Sequence, residues 1–512
     1  MNKLIHRSSV VALLLLAGLP LGAVELAAVF RDHMVLQRDT RVCIFGTGKA
    51  GENIELGFAG QQVSTRADAA GKWRAFLAPL TANAAAATLT VRGTNTLEVR
   101  DVLVGDVWLA GGQSNMGSRM REYLETVAPE VPRANYPLLR YFTVDKRRLP
   151  SEPVSTTPWS AVTPDTVLDM SATGYFFGRD LQRHLQIPIG IVVCAWGGTL
   201  AENWMSRETL LSNPETKPII TRYDVIAAGY GGEAAYQSQL TEHREELARW
   251  KQKRKSAGKG GPAPKEPMGR EHFQRPAGLY ETMFQPIVPF TFKGIVFYQG
   301  ESNIDAGRCY QYRFLLPMLI AEWRRDLGSE LPFLNVQLPV IKGQHEDDWA
   351  ELRESQWLGG RQVKGCETCV ILEYGEFNRL HPHLKEGVGA RLALLARGAV
   401  YGEQIVCRGP RLRSHRIEGN RVILEFDEVG GGLVARGTLQ DFTICDAAGE
   451  FVPAEAEIVG DTVVVTSARI TKPVAVRYGW KNFFEPSLFN REGFSAMGFR
   501  TDAFKLKTQD AR

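Results

Sequence analysis

Four short polar segments follow apolar runs along this chain. They are Gly111-Gly-Gln-Ser114-Asn-Met116, Trp196-Gly197-Gly198-Thr199, Gln299-Gly-Glu301-Ser-Asn303 and Asn378-Arg-Leu-His381-Pro382. They hold a hydroxyl, paired glycines, a carboxamide and an imidazole, the groups acyl transfer needs. A serine hydroxyl is a poor nucleophile until a neighbouring base takes its proton, and histidine does this near neutral pH. The tetrahedral intermediate carries an oxyanion that needs preorganised donors. Backbone N–H groups at Ser114 and at Gly197 or Gly198, with the side-chain NH2 of Asn303, are donors of that kind. Glycine lets backbone approach a ligand closely, and a helix starting after Ser114 adds a favourable partial charge. Ser114 is therefore the candidate nucleophile and His381 its base.

Taken singly, these residues decide nothing. A serine after a glycine turn is more often a helix cap, a Gly-Gly or a lone Asn is more often a turn, and a lone His is more often structural. Convergence gives them weight. Between Val102 and about Val400, apolar runs alternate with helical periodicity, as buried parallel strands do. The expected strands are 106–110, 189–195, 294–298, 333–338 and 369–373; the expected helices include 172–185, 312–327 and 385–399. This is a doubly wound, mostly parallel α/β sheet, and such sheets bind ligands beyond the carboxyl ends of their strands. The polar segments lie there. The serine is not in a G-x-S-x-G elbow, because Met116 stands where glycine is required.

Short β runs separated by glycine turns flank this region and predict β-sandwich-like domains over 24–102 and 401–512. Residues 207–274 read as an insertion into the 103–400 domain, with a helix over 242–253 and a solvated basic loop at Lys251, Lys253, Arg254 and Lys255. Residues 1–23 have the form of a signal peptide: Lys3 and Arg7, an apolar run from Val10 to Leu19, then small residues before Val24. No later apolar run is long enough to span a membrane, so a secreted or periplasmic protein is expected. A net charge of +4 and the lack of a nucleic-acid motif argue against a nucleic-acid partner. Seven cysteines remain after cleavage, allowing at most three disulfides. Cys366-Glu-Thr-Cys369 has no second ligand pair for zinc and reads as a local disulfide or two buried thiols.

Gly105-Asp-Val-Trp-Leu-Ala-Gly-Gly-Gln-Ser-Asn-Met116 resembles the first block of the sialate O-acetylesterase family of SGNH hydrolases. Ala195-Trp-Gly-Gly-Thr199, Phe297-Tyr-Gln-Gly-Glu-Ser-Asn303 and His381-Pro with Lys385 resemble its later blocks. The likeness continues through Asp32-His-Met-Val-Leu-Gln37, Trp349-Ala-Glu-Leu-Arg-Glu-Ser-Gln356 and Val474-Ala-Val-Arg-Tyr-Gly-Trp480. The resemblance implies hydrolysis of acetyl esters on carbohydrate, typically sialic acid, without metal or organic cofactor. Ser114 is then nucleophile, His381 base, and Ser114, Gly197 or Gly198 and Asn303 the oxyanion hole. Gln113, Gln299 and Glu301 orient loops or touch sugar hydroxyls.

One departure stands out. Where related hydrolases carry an acid two or three residues before the histidine, this chain has Arg379 and Asn378. Three readings stay open: a Ser–His dyad helped by a backbone carbonyl, a carboxylate from Glu373, Glu376 or elsewhere, or a weakened enzyme. Two rival functions accompany them: an acetyl xylan or other polysaccharide acetylesterase, and a non-catalytic glycan-binding protein on a decayed esterase scaffold.

Overall fold

The computed structural model describes residues 23–257, 261–342 and 348–510. The expected signal peptide lies outside them except for its last residue. The chain is a mixed α/β protein with a large mixed central sheet and further antiparallel sheets in its C-terminal region.

Seven strands make up the main path of the central sheet: β1 (Thr96–Gly112), β2 (Tyr136–Thr143), β3 (Ser160–Val162), β4 (Ile189–Ala195), β5 (Gly294–Tyr298), β6 (Phe333–Val336) and β7 (Cys366–Cys369). Their order is β3-β2-β4-β1-β5-β6-β7. All pairs are parallel except β2 with β3. β1 serves two structures. Its first half pairs antiparallel with Asn83–Arg92, and its second half runs parallel between β4 and β5. Burial follows: exposed and buried residues mix early in β1, then every residue from Leu103 to Gly112 is buried. That change marks the passage from a half-solvated sheet to one covered on both faces.

The longer helices are α1 (Ala172–Leu185), α2 (Lys217–Ala228), α3 (Glu233–Ala257), α4 (Tyr312–Leu327), α5 (Asp348–Gly360) and α6 (Lys385–Ala399), of which α3 is mostly exposed. α1 starts at Ser171, whose hydroxyl accepts from the Gly174 N–H. α1 and α6 pack closely because Gly389 has no side chain: a Cβ there would lie 2.3 Å from Phe176 Cβ.

Strands β4 and β5 and helices α1, α4 and α6 have the expected bounds. β2 was not expected, since Pro137 and Arg140 break its apolar run. Arg140 is buried there by bonding the His33 carbonyl at 3.0 Å and the Asp101 carboxylate. The strand expected at 369–373 lies earlier, at 366–369; Leu372 instead opens a 3-10 turn packed on the C-terminal core. The basic run is not a loop: it continues α3, with exposed side chains from Lys251 to Lys255. All seven cysteines are free thiols, so Cys366 and Cys369 form no disulfide. Among the described residues no helix is long and apolar enough to cross a membrane.

Candidate active site

The first polar segment turns sharply out of β1. Gly112 has φ +135°, and a Cβ on it would meet the Tyr298 carbonyl at 2.1 Å, so only glycine allows this exit. A single helical turn, Ser114–Gly117, follows. It is too short for the helix dipole anticipated from sequence to act at full strength. Ser114 Oγ and His381 Nε2 lie 2.8 Å apart although 267 positions separate them in the chain.

The second segment leaves β4 and passes against the serine. A Cβ on Gly197 would lie 3.1 Å from Ser114 Cβ. Gly198 takes φ +78°, and its carbonyl accepts from Gln274 Nε2. The third segment leaves β5. Asn303 is fully buried, its Oδ1 accepting from Ala201 N at 3.0 Å and from Gln299 Nε2 at 2.8 Å. Its Nδ2 donates to Glu202 Oε2 at 2.9 Å. Gln113 and Gln299 are buried and tie these segments together: Gln299 Nε2 donates to Gln113 Oε1 at 3.1 Å, and Gln299 Oε1 accepts from Tyr312 Oη at 2.8 Å.

The carboxylates sought near the histidine are engaged elsewhere. Glu373 accepts from Arg391 at 2.8 Å and Ser495 at 2.7 Å, and Glu376 from the His383 backbone N–H. Asn378 is exposed. Among the described residues, Ser114 Oγ is the only hydrogen-bond partner of the His381 ring, and neither a carboxylate nor a carbonyl holds Nδ1. The imidazole is held below its ordinary pKa by lost solvation and then by the Lys385 charge, with Glu122 opposing.

Behind the serine lies a buried network not anticipated from sequence. Asn115 Nδ2 donates to Glu301 Oε1 and, at 3.0 Å, to the Leu380 carbonyl just before His381. Asn115 Oδ1 accepts from Lys385 Nζ. Lys385 is 0% exposed and Glu301 3%, so neither charge reaches bulk water. Burial lowers the Lys385 ammonium to about 7, against the pull of Glu301, and raises the Glu301 carboxyl to about 7, against its bond from Asn115. Glu301 therefore fixes loops from within. The available sequence signal was a lysine among the core positions of α6, four residues after the histidine.

Beyond Gly198 a cavity of about 400 Å³ opens between the third segment and α2. Glu202, Arg222, Tyr223, Asp305 and Arg308 line it.

A hydroxyl, an imidazole and buried donors thus meet at one rim, and comparison with known proteins gives the family. The family model described as "Carbohydrate esterase, sialic acid-specific acetylesterase" matches residues 104–228 and 267–373. A carbohydrate acetylesterase from Xanthomonas citri has a similar structure, with TM-score 0.78 and 33% identity over 94% of this chain and 100% of that one. The chain belongs to the sialic acid-specific acetylesterase family of carbohydrate esterases. It is 27% identical to the sialate O-acetylesterase of Mus musculus, over 89% of each chain. It is 26% identical to that of Homo sapiens, over 89% of this chain and 87% of that one. As a member of this family it is a carboxylic-ester hydrolase and a carbohydrate O-acetylesterase. The glycan-binding alternative without catalysis is accordingly set aside.

Proposed function

We propose that this esterase removes O-acetyl groups from sialic acids, the 9-O-acetyl group foremost, through an acetyl-enzyme on Ser114. The observation that carries the mechanism is the 2.8 Å separation of Ser114 Oγ from His381 Nε2. Neutral Nε2 accepts the hydroxyl proton as Oγ attacks the acetyl carbonyl. The oxyanion takes N–H donors from Ser114, from Gly197 or Gly198, and from the second hydrogen of Asn303 Nδ2. The imidazolium then protonates the departing sugar oxygen. Water repeats the sequence, with His381 again as base, and releases acetate. With Glu373, Glu376 and Asn378 away from the ring, the base works as half of a Ser–His dyad. The sialic acid assignment is supported by the family description and the names of the mammalian relatives. Acetyl xylan or a related polysaccharide is the second reading, supported by a cavity lining whose formal charges cancel.

The scaffold is proposed as an SGNH-type doubly wound domain over 103–400, with an insertion at about 207–274. β-Sandwich-like domains over 24–102 and 401–512 flank it. The cationic and apolar start of the chain supports removal of residues 1–23 and a secreted or periplasmic location.

The test is acetate release from an O-acetylated sialoside. Ser114→Ala should lower kcat by roughly 10³-fold or more, and a quenched wild-type reaction should carry acetyl on Ser114 by mass spectrometry. A Ser114→Ala enzyme with normal turnover sinks the mechanism.

A further inference from the structure

The cavity beside Gly198 differs in chemistry from the acyl-transfer rim. We propose that it binds a neutral, hydroxyl-bearing sugar ring joined to the acetylated residue, making the esterase prefer acetylated glycans to acetylated monosaccharides. The inference rests on the glycan-esterase function proposed above and adds the substrate chemistry of the adjoining subsite.

Four observations support it. The first is position. Gly198 lines the cavity, and its neighbour Gly197 packs on Ser114. A ring seated there adjoins the loop that packs on the proposed nucleophile. The second is size: about 400 Å³ falls within the range of small-ligand sites, roughly 300–1,000 Å³.

The third is charge. The lining holds two guanidinium groups, Arg222 and Arg308, and two carboxylates, Glu202 and Asp305. Arg308 is ion-paired with Glu202, which is 1% exposed, so its charge is already matched inside the protein. Its planar group carries five N–H donors, and those not facing Glu202 suit hydroxyl oxygens.

The fourth is Asp305. Its side chain stands exposed on the cavity wall, and partial loss of solvation raises its pKa. Among the described residues it has no hydrogen-bond or ion-pair partner. Sugar hydroxyls donate to it in place of water, and a lining of balanced charge gives a sugar-acid carboxylate no net attraction. Tyr223 adds an aromatic wall, which suits the C–H faces of a pyranose. The lining therefore shows no preference for the carboxylated ring of a sialic acid, while a neutral sugar next to it fits.

The test uses the full chain and four substrates: 4-nitrophenyl acetate, free O-acetylated sialic acid, O-acetylated sialyllactose and an acetylated xylo-oligosaccharide. Wild type should show a higher kcat/KM on at least one of the two glycans than on the free sialic acid. In Asp305→Ala and in Tyr223→Ala, kcat/KM on the preferred glycan, divided by that on 4-nitrophenyl acetate, should fall about tenfold. The same ratio for free O-acetylated sialic acid should change far less. Hydrolysis of the aryl ester shows that each variant is folded.

If wild type favours free sialic acid over both glycans, the cavity assignment is wrong. The same follows if the glycan ratio is unmoved in both variants, or if glycan and monosaccharide ratios fall together. Acetate release alongside any of these results leaves the esterase mechanism standing. Failure to release acetate from any sugar overturns both proposals.

Discussion

At the scale of single residues, the departure lies in the histidine. In a three-membered triad a carboxylate orients the imidazole and stabilises its cation. Here the nearest influences are lost solvation and the Lys385 charge, and both favour the neutral ring. Neutral imidazole is the form that acts as base, so the acidic limb of kcat/KM against pH should lie below the ordinary histidine value of about 6.5. In that range Lys385, which titrates around 7, still carries its proton. Replacing it as Lys385→Met removes a neighbouring positive charge, which favours imidazolium. The limb should then move to higher pH, and pH–rate profiles of both proteins on an aryl acetate would check the direction. A limb that stays put or moves down would show that the lysine charge does not reach the base. The meeting of Ser114 and His381 was legible in the sequence because each lies in a polar segment on an apolar scaffold. That neither nearby carboxylate reaches the histidine was not legible, since a search confined to nearby residues offers Glu373 and Glu376, which the fold commits to Arg391 and His383.

At the scale of elements, one amide side chain fastens three of them. Asn115 follows β1, Glu301 follows β5 and Lys385 begins α6, and the Asn115 carboxamide bonds all three segments. Removing one member of a buried charged set leaves the other uncompensated, at a cost of about 3–5 kcal/mol. Lys385→Met should show a loss of that order in denaturant unfolding, and adding Glu301→Gln should recover much of it. The pH dependence is a second check. Glu301 is raised from 4.5 to about 7, so between these values the folded chain binds more protons and stability falls as pH rises. Lys385 is lowered from 10.5 to about 7, so above neutrality the unfolded chain binds more protons and stability rises with pH. The wild-type contribution is therefore least around neutral pH, and this dip should vanish in the double variant. Helices α1, α4 and α6 could be read from periodicity because each has one apolar face. The network could not, because its members are as much as 270 positions apart and meet only when β1 and β5 lie side by side.

At the scale of the whole molecule, the C-terminal sheets do more than extend the chain. Their core takes in Val340 and Leu372 from the segments that follow β6 and β7. Arg353 on α5 donates to the carbonyls of Gly479 and Asn482 at 3.3 and 3.4 Å. The segment carrying His381 is held from the same side. Phe377 packs edge-on against Phe483 with ring centroids 5.0 Å apart, and its carbonyl accepts from Lys342 N at 2.9 Å. His381, the proposed base, is exposed and without a carboxylate to orient it, and thus owes part of its position to residues about a hundred positions further on. Phe483→Ala removes one wall of that support. An aromatic pair contributes about 0.5–1.5 kcal/mol beyond the area it buries, so the loss of global stability should be small. Activity is more sensitive, because a misplaced catalytic group can cost up to about 10²-fold. The expected result is a fall of several-fold to tenfold in kcat with KM little changed, since the seat of the substrate lies on the other loops. A variant that loses stability yet keeps full kcat would show that the C-terminal sheets brace the fold without positioning the histidine.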